Sequence, residues 1–490
     1  MADEIISIGA RLSQLAAERG EAPAVTDVAR TETWNELDRR TNRLARGLEA
    51  AGVKQGDLVT VGLANSVEFV EACYGLWKAG ATPQPISYRL PASEAEAVMD
   101  LASTPILIAG ASIESARRRY DVAALLALSD DDSPVADRTA PIFKAPTSGG
   151  STGRPKLILS GGPGVYSPPA DGALGAYRTS GDDVMIMPGP LYHNGPFTSS
   201  FGGLAQGAHL VVLPRFDAEE TLRAIDRHQA TWIYLVPTMM SRIWRLPDAV
   251  KAKYDVSSLR TAWHLAAPCP PWLKEAWIGW LGADVIMELY AGTEAQAVTV
   301  ITGAEWLAHR GSVGKVTVGE MAAFDTDGAR LPPGEVGEVY MRRPEGAPPS
   351  YSYRGAEPRT LPGGWESLGD IGSFDDEGYL YLADRRADMI LVGGSNVYPA
   401  EIEAALDEHP LVQSSAVIGL PDEDLGSAIH AIVQPRPGLT KEALREHLRT
   451  RLVTYKQPRT YEFVEGNIRD DAGKVRRTQL RDERVDKATG

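Results

Sequence analysis

Short apolar runs that alternate with amphipathic helical segments are the feature that most constrains the fold of this chain. Residues 209–213, 232–236 and 285–287 predict buried strands, and a helical pattern over 218–227 separates the first two runs. Strands that alternate with helices are typical of a parallel α/β sheet, because each helix carries the chain back to start the next parallel strand. We therefore expect an α/β architecture.

The beginning of the chain shows the same alternation. Leucines at helical spacing predict a helix over residues 35–53 that ends at Gly52. A strand is expected at 58–61, a second helix at 68–77 and a short strand at 104–109. The α/β pattern thus begins close to the N-terminus.

The pattern changes after about residue 320. Turn signals at 325–328 and 332–335 flank short strands such as 336–341 and predict a small antiparallel β piece. A chain of 490 residues exceeds what one hydrophobic core usually supports. A charged break near Arg386 divides it into a large domain, residues 1–386, and a small mobile α+β domain, residues 387–490. The elements expected in the small domain are helices 400–408 and 441–452 and strands 416–419 and 428–434, followed by a basic tail.

Charge and cysteine content exclude several classes of function. A net charge of −15 argues against broad binding to nucleic acids or anionic membranes. Two cysteines are too few for a disulfide framework or a structural zinc site. The N-terminus is acidic and no apolar run reaches the ~18–20 residues of a membrane span, so we expect a cytoplasmic protein. A monomer or a homodimer is expected.

Residues 147–156, Thr-Ser-Gly-Gly-Ser-Thr-Gly-Arg-Pro-Lys, combine glycines, hydroxyls and two cations. Glycines let successive N–H groups point at an anion, while the hydroxyls and the side chains of Arg154 and Lys156 add donors and charge. This composition suits a polyphosphate, although the Gly-Lys-Ser/Thr ending of a Walker A loop is absent. A flexible linker is the alternative interpretation.

Three further segments carry residues that suit a nucleotide. Residues 288–294 follow an apolar strand with an aromatic, a threonine and a glutamate, which can stack on a base, bind phosphate and hold Mg²⁺. Asp370, at a Gly-Asp turn, could accept both hydroxyls of a ribose. Lys474, on a glycine-bearing turn, can reach a distant site. Taken singly, each also fits an ordinary strand end, a turn aspartate or a solvated lysine.

In this order the motifs resemble the AMP-forming adenylating superfamily, which includes acyl-CoA synthetases, luciferases and the adenylation domains of peptide synthetases. The resemblance covers nearly the whole chain, from Trp34 to Lys474. Residues 190–197 and 263–274 resemble the bile-acid–CoA ligase-like branch, which also includes ligases for cyclic carboxylic acids and some amide synthetases.

The resemblance implies a role for each position. Residues 148–156, which we call the phosphate loop, would grip the β- and γ-phosphates, and adenine would lie between Ala267–Pro268 on one side and Tyr290 on the other. Thr293 would touch the α-phosphate, and Asp370 and Arg385 would hold the ribose. Lys474 would bridge the substrate carboxylate and the α-phosphate. The implied nucleotide-binding residues are Ser148, Gly149, Gly150, Ser151, Thr152, Gly153, Lys156, Ala267, Pro268, Tyr290, Asp370 and Arg385. The implied catalytic residues are Lys474, Thr293, Glu294 and His193, with Glu294 as the Mg²⁺ ligand, and the implied acyl-pocket residues are His193, Phe197, Trp263, His264 and Gly292.

Some positions depart from the family pattern. Ala387 stands two residues after the ribose arginine, where the family's hinge usually has Asp or Lys, and Asp388 adjoins it. Gly149 and Ala472 each stand where the family commonly has Ser or Thr. Ala291 stands where the family commonly has Gly. None of these departures removes a charge that the chemistry requires.

The implied activity is an AMP-forming acid–CoA ligase with ATP, Mg²⁺ and CoA as reactants or cofactors. A cyclic, aromatic or steroid-like acid would form an acyl-adenylate with release of pyrophosphate, and the CoA thiol would then capture the acyl group. A long aliphatic acid is the alternative substrate. An amide ligase that passes the adenylate to an amine or amino acid is the second hypothesis. A non-catalytic nucleotide-binding or carrier-loading protein is the third, against which the intact Lys474 argues.

Overall fold

A computed structural model describes residues 5–149, 155–167, 177–386, 388–392, 395–422, 425–471 and 473–489. These residues form a 14-stranded sheet, several smaller sheets, and helices that cover the sheets. One half of the large sheet is parallel, as the alternation of strands and helices predicts. In spatial order its parallel strands are Pro23–Thr26, His209–Val212, Val184–Met187, Trp232–Leu235, Thr261–His264 and Ile286–Ala291.

The parallel strands are buried on both faces by helices, which explains their continuous apolar sequences. The large core combines these strands with residues of the N-terminal helices. The helices of this part of the chain are Ile8–Arg19, Trp34–Ala50, Val67–Lys78, Ala92–Ala102, Val122–Leu126, Asn194–Gln206, Ala218–His228, Pro237–Trp244, Asp248–Lys251, Pro271–Leu281 and Gly303–Ala308.

The antiparallel β piece expected after residue 320 continues the same large sheet. Its first strand, Val298–Thr302, pairs antiparallel with Ile286–Ala291 at the edge of the parallel half. The antiparallel half therefore lies directly beside the strand that carries Tyr290. Its other strands are Ser312–Val318, Tyr379–Arg385, Trp365–Phe374, Gly337–Arg342 and Glu320–Phe324, with Arg359–Leu361 added at the side and Thr31–Thr33 at the opposite edge of the sheet.

Smaller sheets complete the part before residue 386. A four-stranded parallel sheet has its own apolar cluster around Ile86 and Met99. Its strands are Thr82–Pro85, Leu58–Gly62, Leu107–Ala109 and Arg119–Tyr120. A three-stranded antiparallel sheet contains Tyr351–Arg354, Pro155–Ser160 and Thr147–Gly149, and Ile6–Ser7 pairs with Val165–Tyr166.

The chain from residue 388 onward builds a separate hydrophobic cluster, which includes Val397, Ile402 and Leu444. We call residues 388–489 the C-terminal unit. The long strands Val412–Asp422 and Gly426–Pro435 pair antiparallel, and Thr460–Phe463 adds in parallel. The hairpin of Ile390–Val392 and Ser395–Val397, the helices Pro399–Asp407, Lys441–Arg449 and Arg477–Thr489, and the 3₁₀ turn Thr454–Lys456 complete the unit.

Most predicted elements lie within a few residues of their expected bounds. The helix expected over 35–53 spans Trp34–Ala50, and a capping box between Thr33 and Glu36 fixes its start. The basic tail is helical from Arg477 onward. No helix among the described residues has the length and apolar character needed to cross a membrane.

Candidate active site

The phosphate loop connects two strands of a hairpin. Thr147–Gly149 pairs antiparallel with Pro155–Ser160, so that Ser148 lies opposite Lys156 in the register. This pairing brings the two ends of the loop together. Four of the predicted phosphate-binding residues, Gly150, Ser151, Thr152 and Gly153, lie outside the described residues.

Lys156, at the far end of that loop, faces the predicted metal ligand Glu294. Its Nζ lies 3.4 Å from Glu294 Oε1 and 4.0 Å from the centre of the Tyr353 ring. The Tyr353 hydroxyl donates to the same Oε1 at 2.5 Å, and the Ser350 hydroxyl donates to the Glu294 carbonyl at 2.7 Å. The structure thus joins the phosphate loop, the end of strand Ile286–Ala291 and strand Tyr351–Arg354 in one charged cluster.

Tyr290, Asp370 and Arg385 form a second connected group. The Tyr290 hydroxyl donates to Asp370 Oδ2 at 2.6 Å, and Arg385 Nε lies 3.3 Å from Asp370 Oδ1. Asp370 and Arg385 are directly opposite each other on two antiparallel strands, which explains why they meet. Burial raises the pKa of the Tyr290 hydroxyl, and the Asp370 charge raises it further, so the phenol stays protonated as a donor.

The two predicted walls of an adenine site follow neighbouring parallel strands. Thr261–His264 and Ile286–Ala291 pair in parallel, so their carboxyl ends lie at the same edge of the sheet. Ala267 and Pro268 follow the first strand, and Tyr290 is the penultimate residue of the second. Ala266, just before this wall, has φ of +75°, a left-handed conformation that is costly for a residue with a Cβ. Open α/β sheets bind ligands at this edge.

A buried ion pair supports the strand that carries Tyr290. Lys274 Nζ donates to Glu288 Oε2 at 2.5 Å, and both side chains are buried. His264 Nε2 lies 3.9 Å from the same oxygen, and neither ring nitrogen of His264 has a hydrogen-bond partner among the described residues. Burial lowers the pKa of His264, and the Lys274 charge lowers it further, so the imidazole is neutral.

The predicted acyl-pocket residues differ in exposure. His193 precedes helix Asn194–Gln206 and is partly exposed, and Gly292 follows strand Ile286–Ala291. Phe197, Trp263 and His264 are at most 1% exposed, so they would influence a pocket only by packing against the residues that line it. Trp263 Nε1 donates to the Tyr177 carbonyl at 2.7 Å, and Phe197 packs within an aromatic cluster with Phe201. Their role in binding an acid stays a prediction.

Lys474 lies on a tight turn of the C-terminal unit. The Asp470 amide donates to the Lys474 carbonyl at 2.9 Å, and the Lys474 amide donates to Asp470 Oδ1 at 2.8 Å. The side chain keeps contact with solvent. Burial by the surrounding protein lowers the pKa of its ammonium, and the positive charge of Arg385 lowers it further. The negative charges of Asp470, Glu294 and Asp370 act in the opposite direction. The structure therefore brings Lys474 into electrostatic range of both charged groups described above.

Sequence reasoning missed several residues that complete these groups. Tyr353 and Ser350 hold Glu294, and nothing in their local sequence distinguishes them. The Tyr192 hydroxyl donates a hydrogen bond to Asp471 of the C-terminal unit. Each of these residues stands in a motif that was singled out for another residue, His193 in the first case and Lys474 in the second. Of the residues marked as departures, Ala387 and Ala472 lie outside the described residues.

The donor set near Glu294 fits a magnesium ion that is held mainly by phosphates. No cluster of three or more His, Cys, Asp or Glu side chains able to hold a metal occurs in the described part of the chain. Mg²⁺ commonly uses one or two carboxylates together with substrate phosphates and water. Because Glu294 Oε1 is engaged by Tyr353 and Lys156, Oε2 is the oxygen that would serve the ion.

Comparison with known protein families assigns the class of this fold and site. Residues 12–351 match the model of the AMP-binding enzyme family, and residues 401–474 match the model of the AMP-binding enzyme C-terminal domain. The chain therefore belongs to the AMP-forming adenylating superfamily, and it is an AMP-forming ligase, as its motifs predict. The predicted fold class, α/β with a smaller α+β part, is likewise confirmed.

Particular relatives narrow the comparison. The chain is 30% identical to the 3-[(3aS,4S,7aS)-7a-methyl-1,5-dioxo-octahydro-1H-inden-4-yl]propanoyl:CoA ligase of Rhodococcus jostii, over 99% of this chain and 100% of the relative. It resembles the o-succinylbenzoate CoA synthetase of Bacillus subtilis, solved with its acyl-adenylate intermediate, with a TM-score of 0.82 and 25% identity over 97% and 98% of the two chains. It also resembles the amide bond synthetase McbA of Marinactinospora thermotolerans, with a TM-score of 0.78 and 27% identity over 97% and 99%.

Proposed function

We propose that this ligase activates a cyclic, aromatic or steroid-like carboxylic acid with ATP and then transfers the acyl group to CoA. The placement of Lys474 is the observation that supports this most. The turn that carries this lysine contacts Tyr192 and Thr238 of the other part of the chain. The charges of Arg385, Glu294 and Asp370 also act on the pKa of its ammonium. Activation of a carboxylate needs a cation at such a place.

The first step would join two anions. The substrate carboxylate attacks the α-phosphate, and pyrophosphate leaves with its charge. Two unit charges 4 Å apart interact by about 4 kcal/mol at an effective dielectric constant near 20, so a cation between them lowers the barrier. Lys474 would lie between the carboxylate and the α-phosphate, and the phosphate loop with Lys156 would hold the leaving pyrophosphate.

The nucleotide would be oriented by the remaining groups. Tyr290 and the Ala267–Pro268 wall would enclose adenine. Asp370 would accept hydrogen bonds from the ribose hydroxyls, and Arg385 would donate to them. Thr293 would contact the α-phosphate. Glu294 would hold Mg²⁺ through Oε2, and that ion would neutralise phosphate charge. Holding the reactants in line accounts for much of the rate of such a step.

Two of the relatives support a cyclic acid, whereas a Mycobacterium tuberculosis relative, 32% identical over 92% of this chain, is named a long-chain-fatty-acid–CoA ligase. The names of the Rhodococcus jostii ligase and of the 2-succinylbenzoate–CoA ligase of Bacillus licheniformis, 30% identical over 91% of this chain, both describe ring-containing acids.

An amine acceptor is the second candidate. The likeness to the amide bond synthetase McbA favours it, because the two chains align over almost their whole length. Both candidates form the same acyl-adenylate and differ only in the nucleophile that follows.

The domain organisation, the cellular location and the oligomeric state are proposed from the sequence. Residues 1–386 and 387–490 would form two domains, which the separate hydrophobic cluster of the C-terminal unit supports. We infer a cytoplasmic protein that is a monomer or a homodimer.

A panel of carboxylic acids, scored by pyrophosphate release, tests the proposal. Each acid is incubated with ATP and Mg²⁺ and then with either CoA or a set of amines, and products are identified by mass. We expect ring-containing acids to release pyrophosphate and to yield thioesters with CoA. Amide products without thioesters would transfer the assignment to the amide ligase, and no acid-dependent pyrophosphate from any acid would refute the proposed function.

A further inference from the structure

The turn that carries Lys474 is attached to the large sheet by Asp471. The Tyr192 hydroxyl donates a hydrogen bond to Asp471 Oδ2, and His193 Nε2 lies 3.7 Å from Asp471 Oδ1. Tyr192 and His193 stand immediately before helix Asn194–Gln206, and their rings lie 4.6 Å apart. One carboxylate of the C-terminal unit thus meets two adjacent side chains from the other part of the chain.

A second contact attaches the same turn. Gly473 has φ of +77°, and a Cβ added there would stand 2.8 Å from Thr238 Oγ1. The backbone of Gly473 therefore lies against helix Pro237–Trp244 with no room for a side chain. Attachment on both sides of residue 472 constrains the position from which Lys474 extends.

The geometry of the turn transmits this attachment to Lys474. The two hydrogen bonds between Asp470 and Lys474, one between backbone groups and one from the Lys474 amide to the Asp470 carboxylate, close the turn around Asp471 together with the bridge between Arg469 and Val475. Asp471 and Lys474 therefore belong to one hydrogen-bonded turn, so a contact that holds the Asp471 carboxylate also restrains the backbone from which the Lys474 side chain extends.

The charge of Asp471 suits this contact. Burial raises the pKa of its carboxyl, but His193 and the Tyr192 hydroxyl outweigh that effect and lower the pKa below its usual value, so the group is anionic at neutral pH. Burial and the hydrogen bond to Asp471 raise the pKa of the Tyr192 hydroxyl, so this group stays protonated. A phenol that donates to a carboxylate is a charge-assisted hydrogen bond, which is stronger than a neutral one.

We propose that Asp471, held by Tyr192 and flanked by His193, is a positioning residue that places Lys474 for the adenylation step. This inference rests on the proposed function, since it assigns Asp471 to one of the two half-reactions. Asp471 touches no reactant itself and acts through Lys474. Because His193 belongs to the predicted acyl pocket, the same contact would link the acid-binding side chains to the position of the lysine.

The variants Asp471→Ala and Tyr192→Phe test the proposal, with the two half-reactions measured separately. Adenylation is followed as acid-dependent pyrophosphate release from ATP, and transfer is followed from chemically prepared acyl-adenylate to CoA. Loss of a hydrogen bond to a charged group predicts a fall of about 10- to 100-fold in adenylation for each variant. Transfer from the prepared adenylate is expected to stay within about twofold of wild type.

Three further variants sharpen the result. Asp471→Asn keeps an acceptor for the Tyr192 hydroxyl and is expected to retain more of the adenylation rate than Asp471→Ala. The double variant of Asp471 and Tyr192 is expected to be no slower than the slower single variant, because both remove the same contact. Tyr455→Phe, at an exposed tyrosine of the C-terminal unit, serves as the matched control and is expected to behave as wild type.

Hydrogen exchange provides a readout that needs no substrate. In Asp471→Ala, backbone amides of residues 469–475 are expected to exchange faster, with the strands of the C-terminal unit unchanged. Equal loss in both half-reactions, unchanged adenylation, or unchanged exchange in the turn would each overturn the proposal. Failure of the proposed function is distinct, because the wild type itself would then release no pyrophosphate with any acid.

Discussion

Lys144 lies inside the part of the chain before residue 386 and is 7% exposed. Its Nζ donates to Asn194 Oδ1 and Thr198 Oγ1, and no carboxylate pairs with it among the described residues. The rings of Phe143 and Phe197 each lie 5.8 Å from the ammonium. Burial lowers the pKa of this lysine to about 7, because the charged form loses its hydration.

The variant Lys144→Met tests that burial through the pH dependence of stability. In the unfolded chain the lysine keeps its usual pKa near 10.4, so between pH 7 and pH 10 the unfolded state binds more protons than the folded state. The stability of the wild type should therefore rise with pH relative to Lys144→Met, by up to about 1.4 kcal/mol for each pH unit. Urea unfolding at pH 7, 8 and 9 measures the difference, and a difference that does not change with pH would contradict the burial.

At the scale of single residues, the sequence indicates candidate side chains for the site but not which of them contact one another. Tyr290, Asp370 and Arg385 were each expected near a nucleotide, and the structure joins them through strand pairing that sequence spacing does not show. Tyr353 was missed because its contact with Glu294 comes from a strand of a different sheet. Contacts between distant segments depend on packing, and single motifs do not contain that information.

Gly292 shows how an element depends on one small residue. It follows strand Ile286–Ala291, and a Cβ at this position would stand 2.2 Å from Leu368 Cδ1 and 2.9 Å from Glu294 Oε2. The strand end therefore lies against strand Trp365–Phe374 with no space for a methyl group.

Gly292→Ala is expected to lower both stability and adenylation. Relief of the overlap requires the side chains of Leu368 and Glu294 to move, and such overpacking typically costs about 1–3 kcal/mol. Gly279→Ala is the matched control, because a Cβ there meets nothing within 4 Å and helix Pro271–Leu281 should gain up to about 1 kcal/mol. Thermal unfolding and pyrophosphate release measure the two effects, and a wild-type result for Gly292→Ala would refute the predicted crowding.

Element bounds were predicted well where apolar periodicity continues and less well where a polar residue is buried. The strand expected at 285–287 extends through Ile286–Ala291, because the ion pair of Glu288 with Lys274 lets a charged residue enter the core. The strand expected over 104–109 is only Leu107–Ala109, since the Thr104 hydroxyl instead accepts from the Thr60 amide at 2.9 Å. Both deviations come from tertiary partners.

At the scale of the whole molecule, the alternation of strands and helices correctly predicts the parallel half of the large sheet. It does not predict that the antiparallel strands after residue 298 continue the same sheet. That continuity places Tyr290, on the last parallel strand, within reach of Asp370 on an antiparallel one. The candidate site thus lies where the two halves of the sheet meet and where the C-terminal unit supplies Lys474.

The central claim is that Lys474, carried by the C-terminal unit, serves the chemical step and not the binding of ATP. The direct measurement is acid-dependent pyrophosphate release by the wild type and by Lys474→Ala, together with ATP affinity. Lys441→Ala, at an exposed lysine of the same unit, is the control. We predict a loss of about 10²- to 10³-fold in release for Lys474→Ala, with ATP affinity nearly unchanged. Release by Lys474→Ala equal to that of the wild type would contradict the claim.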